Sequence, residues 1–274
     1  MISIVTAYYN RKKEFWRTLK TIEKSAVKDF EFVVVDDGSD WRQRIEDFAK
    51  EFSFIRLKRI EPKDKTHINP CIPFNMAFGM ARGDLIIIQN PECMHMGDVL
   101  KYVLENSAYN KYLVFSCYSL SQRANDNLSQ VDFNQPMHDL EQAVIKAIGG
   151  FTTNNCDTST RYDSWFAHPK YRRAYFNFMT SLTRKDLYEL GGFDERFATG
   201  HAFDDTEFVS RIEKKGMKIE MVEYPFCIHQ WHPPHTYQIP DFVGAERRNR
   251  LLYETLRRQP HIKAPNRFLN ENNY

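Results

Sequence analysis

Four short stretches of the chain carry residue types that do chemistry in combination. Asp36 and Asp37 stand side by side ahead of Gly38 and Ser39. Asn90 and Glu92 flank Pro91. Asp204 and Asp205 are adjacent, with Glu207 and Arg211 following. His229, His232 and His235 gather around Trp231. Carboxylates with a carboxamide or imidazoles offer oxygen and nitrogen ligands to a divalent cation. An acidic pair also suits proton abstraction from an attacking hydroxyl, a role that needs one carboxylate. Each stretch has a plainer reading beside the chemical one. Asp36 and Asp37 fit an ordinary turn, with a side chain capping the next helix. Asp204 with Glu207 three residues on is a capping-box pattern, and acids in a first turn suit the helix dipole. A turn bearing Pro91 needs no ligand role. A histidine is more often a satisfied structural residue than a ligand.

The elements that would hold these stretches follow from periodicity. Residues 2–7, 30–35, 54–59, 84–88 and 112–118 read as strands, most of them apolar along their whole length. Residues 11–26, 41–52, 72–81 and 99–106 read as helices between them, and 61–70 as a Pro-bounded polar loop. Such alternation predicts an α/β fold with a mostly parallel central sheet flanked by helices. Ligands of these sheets bind at the carboxyl ends of the strands. The loops 6–10, 36–39 and 89–95 all follow strands, so they are expected on one edge. Residues 119–160 lose the pattern and read as an insertion or a mobile connection, with a short helix at 142–148. A helix at 204–215, a strand at 217–222 and a terminal helix at 242–256 complete the chain. The organisation expected is one domain over 1–240, split into a donor half (1–118) and an acceptor half (119–240). A helical extension over 241–274 follows.

Composition narrows the classes. The chain has 274 residues, 42% of them apolar and 27% charged, which is globular composition. Lys and Arg total 38 against 36 Asp and Glu, so no basic excess points to nucleic acid. Five scattered cysteines form no C-x-x-C motif and fit buried thiols in a reducing compartment. No apolar run approaches a membrane span, and the first residues lack a signal-peptide pattern. The expected location is cytoplasmic, at most peripheral at a membrane. Gly38 is the sole glycine before Gly79, so the first strand lacks the glycines of a dinucleotide-binding turn. No Walker-type phosphate loop, G-x-S-x-G elbow or H-E-x-x-H site occurs.

Taken in order, the motifs resemble a known family. They run Thr6-Ala7-Tyr8-Tyr9-Asn10-Arg11, Asp36-Asp37-Gly38-Ser39, Asn75, Ala81-Arg82-Gly83 and Asn90-Pro91-Glu92. Then come Gly191-Gly192-Phe193-Asp194, Asp204-Asp205 with Arg211, and His229-Gln230-Trp231-His232. The set is similar to the family 2 glycosyltransferases, inverting enzymes of the GT-A fold, over residues 2–232. The resemblance implies that Thr6, Tyr8, Asn10, Asp36 and Asp37 line the nucleotide, with Asn75 and Arg82 on the same side. One of Tyr8 and Tyr9 is expected to pack instead. It implies Mn2+ or Mg2+ on the diphosphate, held in the family by a D-x-D motif. Here Asn90 and Glu92 stand in the aspartate positions, and Glu92 is the stronger ligand. A late histidine, His229 and then His232, completes the metal set. Asp205 becomes the catalytic base, with Asp204 beside it as the helix cap.

Gly192, Phe193 and Asp194 are implied at the acceptor side. Trp165 either stacks on a sugar or packs in the core. Arg211, Trp231 and His232 are further substrate contacts. The implied donor is a nucleotide-sugar, a UDP-sugar foremost. The implied acceptor is a glycan or lipid-linked glycan, in assembly of a surface polysaccharide. The arginines of 242–258 read as a solvated basic face or a contact for anionic lipid. Two other functions compete. A sugar-nucleotide nucleotidyltransferase would need a Gly-rich loop where Tyr8-Tyr9-Asn10-Arg11 stands. A non-catalytic nucleotide-sugar or glycan-binding protein is motivated by Asn90-Pro91-Glu92 and opposed by Asp204-Asp205.

Overall fold

The structure is a computed structural model that describes residues 1–155, 162–233, 239 and 241–269. The first half alternates strand and helix: β1 (Ile2–Tyr8), α1 (Lys12–Ile22), β2 (Phe30–Asp36), α2 (Phe48–Glu51), β3 (Ile55–Arg59), α3 (Cys71–Met80) and β4 (Leu85–Gln89). There follow β5 (Cys93–Met96), α4 (Val99–Asn106), β6 (Lys111–Ser119), α5 (Gln122–Asn127) and α6 (Met137–Ile148). The rest is β7 (Ser164–Ala167), β8 (Met179–Thr183), α7 (Arg184–Leu190), α8 (Asp204–Lys214), β9 (Lys218–His229) and α9 (Phe242–Leu256).

Strand order is β3-β2-β1-β4-β8-β6-β9-β5, with β7 paired to β6 off that path. The four strands β3, β2, β1 and β4 pair in parallel. Their carboxyl ends therefore share one edge, as expected. Beyond β4 the sheet turns mixed: β8 runs antiparallel to β4 and β6, while β6 and β9 are parallel. Successive residues of β1 and β2 feed two different cores. Ile4, Tyr8, Phe32 and Val34 meet Phe15, Leu19 and Ile22 of α1. Val5, Val33 and Val35 meet Phe74, Ala77 and Phe78 of α3 on the opposite face. Burial on both faces is why these strands are apolar throughout.

Three readings change. The helix expected over 41–52 is a 3-10 turn at Trp41–Gln43 and the single short α2. Arg44 between them is extended, because Gln43 is tied down: its carbonyl accepts from the Tyr8 hydroxyl and its side chain from the Lys12 N–H. Those bonds are tertiary, and helical periodicity does not carry them. Within the loop expected over 89–95, Cys93–Met96 is a strand, recruited by antiparallel pairing to β9. The strand expected over 217–222 continues to His229 for the same reason, since its second half pairs with both β5 and β6. In 119–155 the chain is helical rather than irregular. Ser121 caps α5, accepting from the Ala124 N–H, and Leu128, Leu140 and Val144 join Trp165 in a third core cluster. Residues 156–160 of that segment lie outside the described residues, as does Cys156.

Candidate active site

The shared strand edge opens into a cleft of about 550 Å³. Its walls include Tyr9 after β1, Asp37 after β2, Lys65 and His67 after β3, and Asn90-Pro91-Glu92 after β4. Asp37 is held from two sides. Its Oδ2 is 2.7 Å from Lys65 Nζ and its Oδ1 2.7 Å from His67 Nε2. The Lys65 ammonium also lies 4.6 Å from the centre of the Tyr9 ring. A flat aromatic ring, a carboxylate and a cation thus share one wall.

At the far end of this wall the β5–β9 pairing does specific work. Cys93 lies opposite His229, and the Gln230 N–H donates to the Glu92 carbonyl at 3.2 Å. The register sets Glu92 beside the two imidazoles. Glu92 Oε1 is 3.1 Å from His229 Nε2 and 3.5 Å from His232 Nε2. Burial alone would push the Glu92 carboxyl up. Hydrogen bonds from His229 and His232 outweigh it and hold the group well below the ordinary carboxylate range. Glu92 is therefore an anion at neutral pH. One oxygen and two nitrogens within 4.8 Å of one another fit a single divalent ion. The imidazoles favour Mn2+ over Mg2+, which prefers oxygen alone. His235 lies outside the described residues.

The acidic pair opens α8 just after Ala202 and Phe203, whose φ angles are +57° and +68°. Two consecutive side-chain-bearing residues in the left-handed region cost energy and persist where the surroundings impose them, often at functional sites. Asp204 Oδ1 accepts from Asn69 Nδ2 at 2.8 Å. Asn69 is flanked by Ile68 and Pro70, both on the cleft wall, and His201 lines the cleft as well. Asp204 is thus fixed and capped, while Asp205 accepts only from the neighbouring Thr206. Desolvation, and then the charge of Asp204, push the Asp205 carboxyl up to about 7. Asp204 is also raised, mainly by burial.

The family model described as Glycosyl transferase family 2 matches residues 3–177. The chain belongs to this family. A second model, described as the N-terminal domain of galactosyltransferase, matches residues 160–233. Among solved structures, S. aureus TarS 1-349 in complex with UDP-GlcNAc is 14% identical with a TM-score of 0.57, covering 89% of this chain and 64% of that one. The mannosyltransferase PcManGT from Pyrobaculum calidifontis, in complex with GDP-Man and Mn2+, is 16% identical with a TM-score of 0.51. It covers 93% of this chain and 62% of that one. Full S. aureus TarS is 15% identical, TM-score 0.54, covering 86% of this chain. This chain spans 38% of the length of that TarS structure. These likenesses establish the fold, an α/β sheet of the GT-A type. A comparison with curated proteins finds no match.

Several residues implied by the family resemblance are not in the cleft of this family 2 chain. Tyr8 is fully buried against Phe15, with its hydroxyl on the Gln43 carbonyl, so Tyr8 is the packing tyrosine and Tyr9 faces the cleft. Strand alternation buries Thr6 with Tyr8. Asp36 is buried under Arg59 and accepts from the Ser39 N–H, shaping the turn that presents Asp37. Asn10 bonds Ser39 and Asp40, tying the β1 loop to that same turn. Asn75 clamps the Phe193 backbone, donating to its carbonyl and accepting from its N–H. Arg82 precedes β4 and so sits at the opposite edge of the sheet, where its N–H donates to Glu31.

On the acceptor side the pattern repeats. Gly192 lies under the C-terminal tail, against Asn266 and Asn75. Phe193 is in the core, and Asp194 is fully buried with Arg196 bridging both its oxygens. Arg211 is fully buried too, bonded to Glu207 and the carbonyls of Leu190 and Gly192. Trp165 stacks among Tyr118, Phe151 and Tyr171, its indole N–H on the Thr152 carbonyl. Trp231 is half-buried beside His232.

Four cleft residues escaped the sequence: Arg11, Lys65, His67 and His201. Lys65 and His67 were legible in principle, because the polar loop 61–70 follows β3 on the same edge. A further cluster, Cys93, Cys117 and Cys227, brings three buried thiols together behind Glu92. Burial pushes all three well up, so they are protonated and pack as small apolar groups.

Proposed function

We propose that this chain transfers a sugar, with inversion, from a nucleotide-sugar donor to a hydroxyl of a glycan or lipid-linked glycan. A UDP-sugar is the favoured donor, in keeping with the UDP-GlcNAc and UDP bound by TarS 1-349. The observation that carries this reading is the convergence of Glu92, His229 and His232 on the cleft that Tyr9 and Asp37 also line. Such a cleft has a surface for a base and ribose at one end and for a diphosphate at the other. Glu92, His229 and His232 would hold Mn2+ or Mg2+, with Asn90 adjacent. A cation bound there supplies positive charge to the departing diphosphate.

Asp205 in its ionised form takes the proton of the acceptor hydroxyl. The acceptor oxygen attacks the anomeric carbon while the bond from that carbon to the phosphate oxygen breaks on the opposite face. Asp204, bonded to Asn69, holds the start of α8 so that Asp205 faces the reaction. Asn10, Asp36 and Asn75 shape the nucleotide and acceptor loops rather than touching substrate. The single domain over 1–240 and the helical extension over 241–274 belong to the same reading. Among the described residues no helix is long and apolar enough to cross a membrane.

The test is turnover of nucleotide-sugars, read as release of the nucleoside diphosphate. Asp205→Asn abolishes turnover and leaves donor binding intact if the reading is right. Turnover that survives in Asp205→Asn removes Asp205 as the base. Donor binding with no turnover in the parent chain favours the binding-protein reading.

A further inference from the structure

The His232 ring faces two groups that make opposite demands on one nitrogen. Its Nδ1 is 2.8 Å from Arg11 Nη2 and 3.0 Å from the Pro233 carbonyl oxygen. A guanidinium can only donate, and a carbonyl can only accept. Nδ1 therefore accepts from Arg11 when bare, or donates to Pro233 when protonated, and cannot do both. In a neutral ring the other nitrogen carries the opposite state. With Arg11 engaged, Nε2 bears the hydrogen and points it at Glu92 Oε1, 3.5 Å away. With Pro233 engaged, Nε2 is bare and can ligate a cation together with Glu92 and His229.

We propose that Arg11 and a divalent cation compete for His232, so that cation binding releases the Arg11 guanidinium into the cleft. This rests on the proposed metal role of Glu92, His229 and His232. The ring proton moves from Nε2 to Nδ1, and no net proton is gained or lost. The Arg11 hydrogen bond breaks and the Pro233 hydrogen bond forms. Arg11 remains anchored through Nη1 on the Asn10 carbonyl at 2.9 Å. It also lines the cleft beside Glu92, where the diphosphate of the proposed donor would lie. The freed cation is thus available to the departing phosphate only once the metal is in place. Arg11 is a positioning residue in the metal-free state and a phosphate contact in the loaded one.

Two readouts on the whole chain test this without measuring activity. The first is the nitrogen chemical shifts of the His232 ring, metal-free. The parent protein should show Nδ1 bare and Nε2 protonated, and Arg11→Met should shift the ring toward the Nδ1-protonated form. Arg11→Lys, which keeps a donor and a charge, should restore the parent tautomer. The second is Mn2+ affinity by calorimetry in the absence of nucleotide. Arg11→Met should bind Mn2+ more tightly, on the order of tenfold, since a hydrogen bond from a charged donor no longer has to be broken. That gain should vanish in a His232→Ala background, whereas simple removal of a positive charge would act there too.

A parent ring already protonated on Nδ1 overturns the proposal. So does a gain in affinity that persists without His232. Failure of the parent and of Arg11→Met alike to bind Mn2+ overturns both the competition and the metal reading. Bound Mn2+ with unchanged affinity in Arg11→Met overturns the competition alone.

Discussion

Asp205 is a half-buried carboxyl with a raised pKa beside a second carboxyl that is fully engaged elsewhere. A base must be ionised to act, so turnover should rise with pH through about 7, where Asp205 loses its proton. Asp205→Asn should lower kcat by about 10²–10⁴ at pH 8 while leaving nucleotide affinity unchanged. The same shift predicts a cost in stability. An unfolded aspartate titrates near ~3.9. The folded chain therefore holds the extra proton between that value and about 7, and stability contributed by this group falls as pH climbs through that window. Above pH 7 the native state carries a desolvated charge beside Asp204. Asp205→Asn should then be more stable than the parent at pH 8, on the order of 1 kcal/mol, with the difference closing toward pH 4. Urea unfolding at the two pH values measures it; a variant less stable at pH 8 would refute the assignment. At this scale the sequence was informative about residue type and less so about direction. Asp37, Glu92 and Asp205 stood out by spacing. Tyr8 against Tyr9 depended on where β1 ends, and Asp36 against Asp37 on which side of a turn Arg59 covers. Neither is written in local pattern.

At the scale of elements, α8 and the segment after α9 act together as a clamp on the 190–194 loop. Arg211 on α8 reaches the carbonyls of Leu190 and Gly192 while Glu207 neutralises it, and His261 in the tail bonds Glu207 at 3.3 Å. Ala264 donates to the Leu190 carbonyl, and Ile262, Phe268 and Leu269 cover the α3 core. Arg211→Met should destabilise the fold by about 3–5 kcal/mol, because Glu207 is left buried without its cation. Truncation after Gln259 should cost about 3 kcal/mol or more by exposing the three apolar side chains. Denaturant unfolding reads both, and an unchanged midpoint in either would contradict the clamp. The implied acceptor roles of Arg211 and Asp194 failed to appear in the cleft for this reason: buried charge on a helix face looks the same in sequence whether it meets substrate or backbone. The parallel half was legible because Val33-Val34-Val35 and Leu85-Ile86-Ile87-Ile88 are buried on both faces. The strand at Cys93–Met96 was not, since Cys-Met-His-Met has little strand character of its own and is held extended by β9.

At the scale of the molecule, one edge of the sheet gathers four strand-end loops, and the late β5–β9 pairing returns the chain from residue 229 to meet Glu92. The central claim is that this edge is a metal-assisted nucleotide-sugar site. Thermal unfolding with UDP, GDP, dTDP and CDP, each with and without Mn2+, addresses it most directly. A ligand at about 100 times its Kd adds ~2.7 kcal/mol to stability. The account predicts that one nucleotide, UDP foremost, raises Tm clearly with Mn2+ and much less without it. Glu92→Gln should erase the metal-dependent part alone. No shift with any nucleotide in either condition would contradict the account.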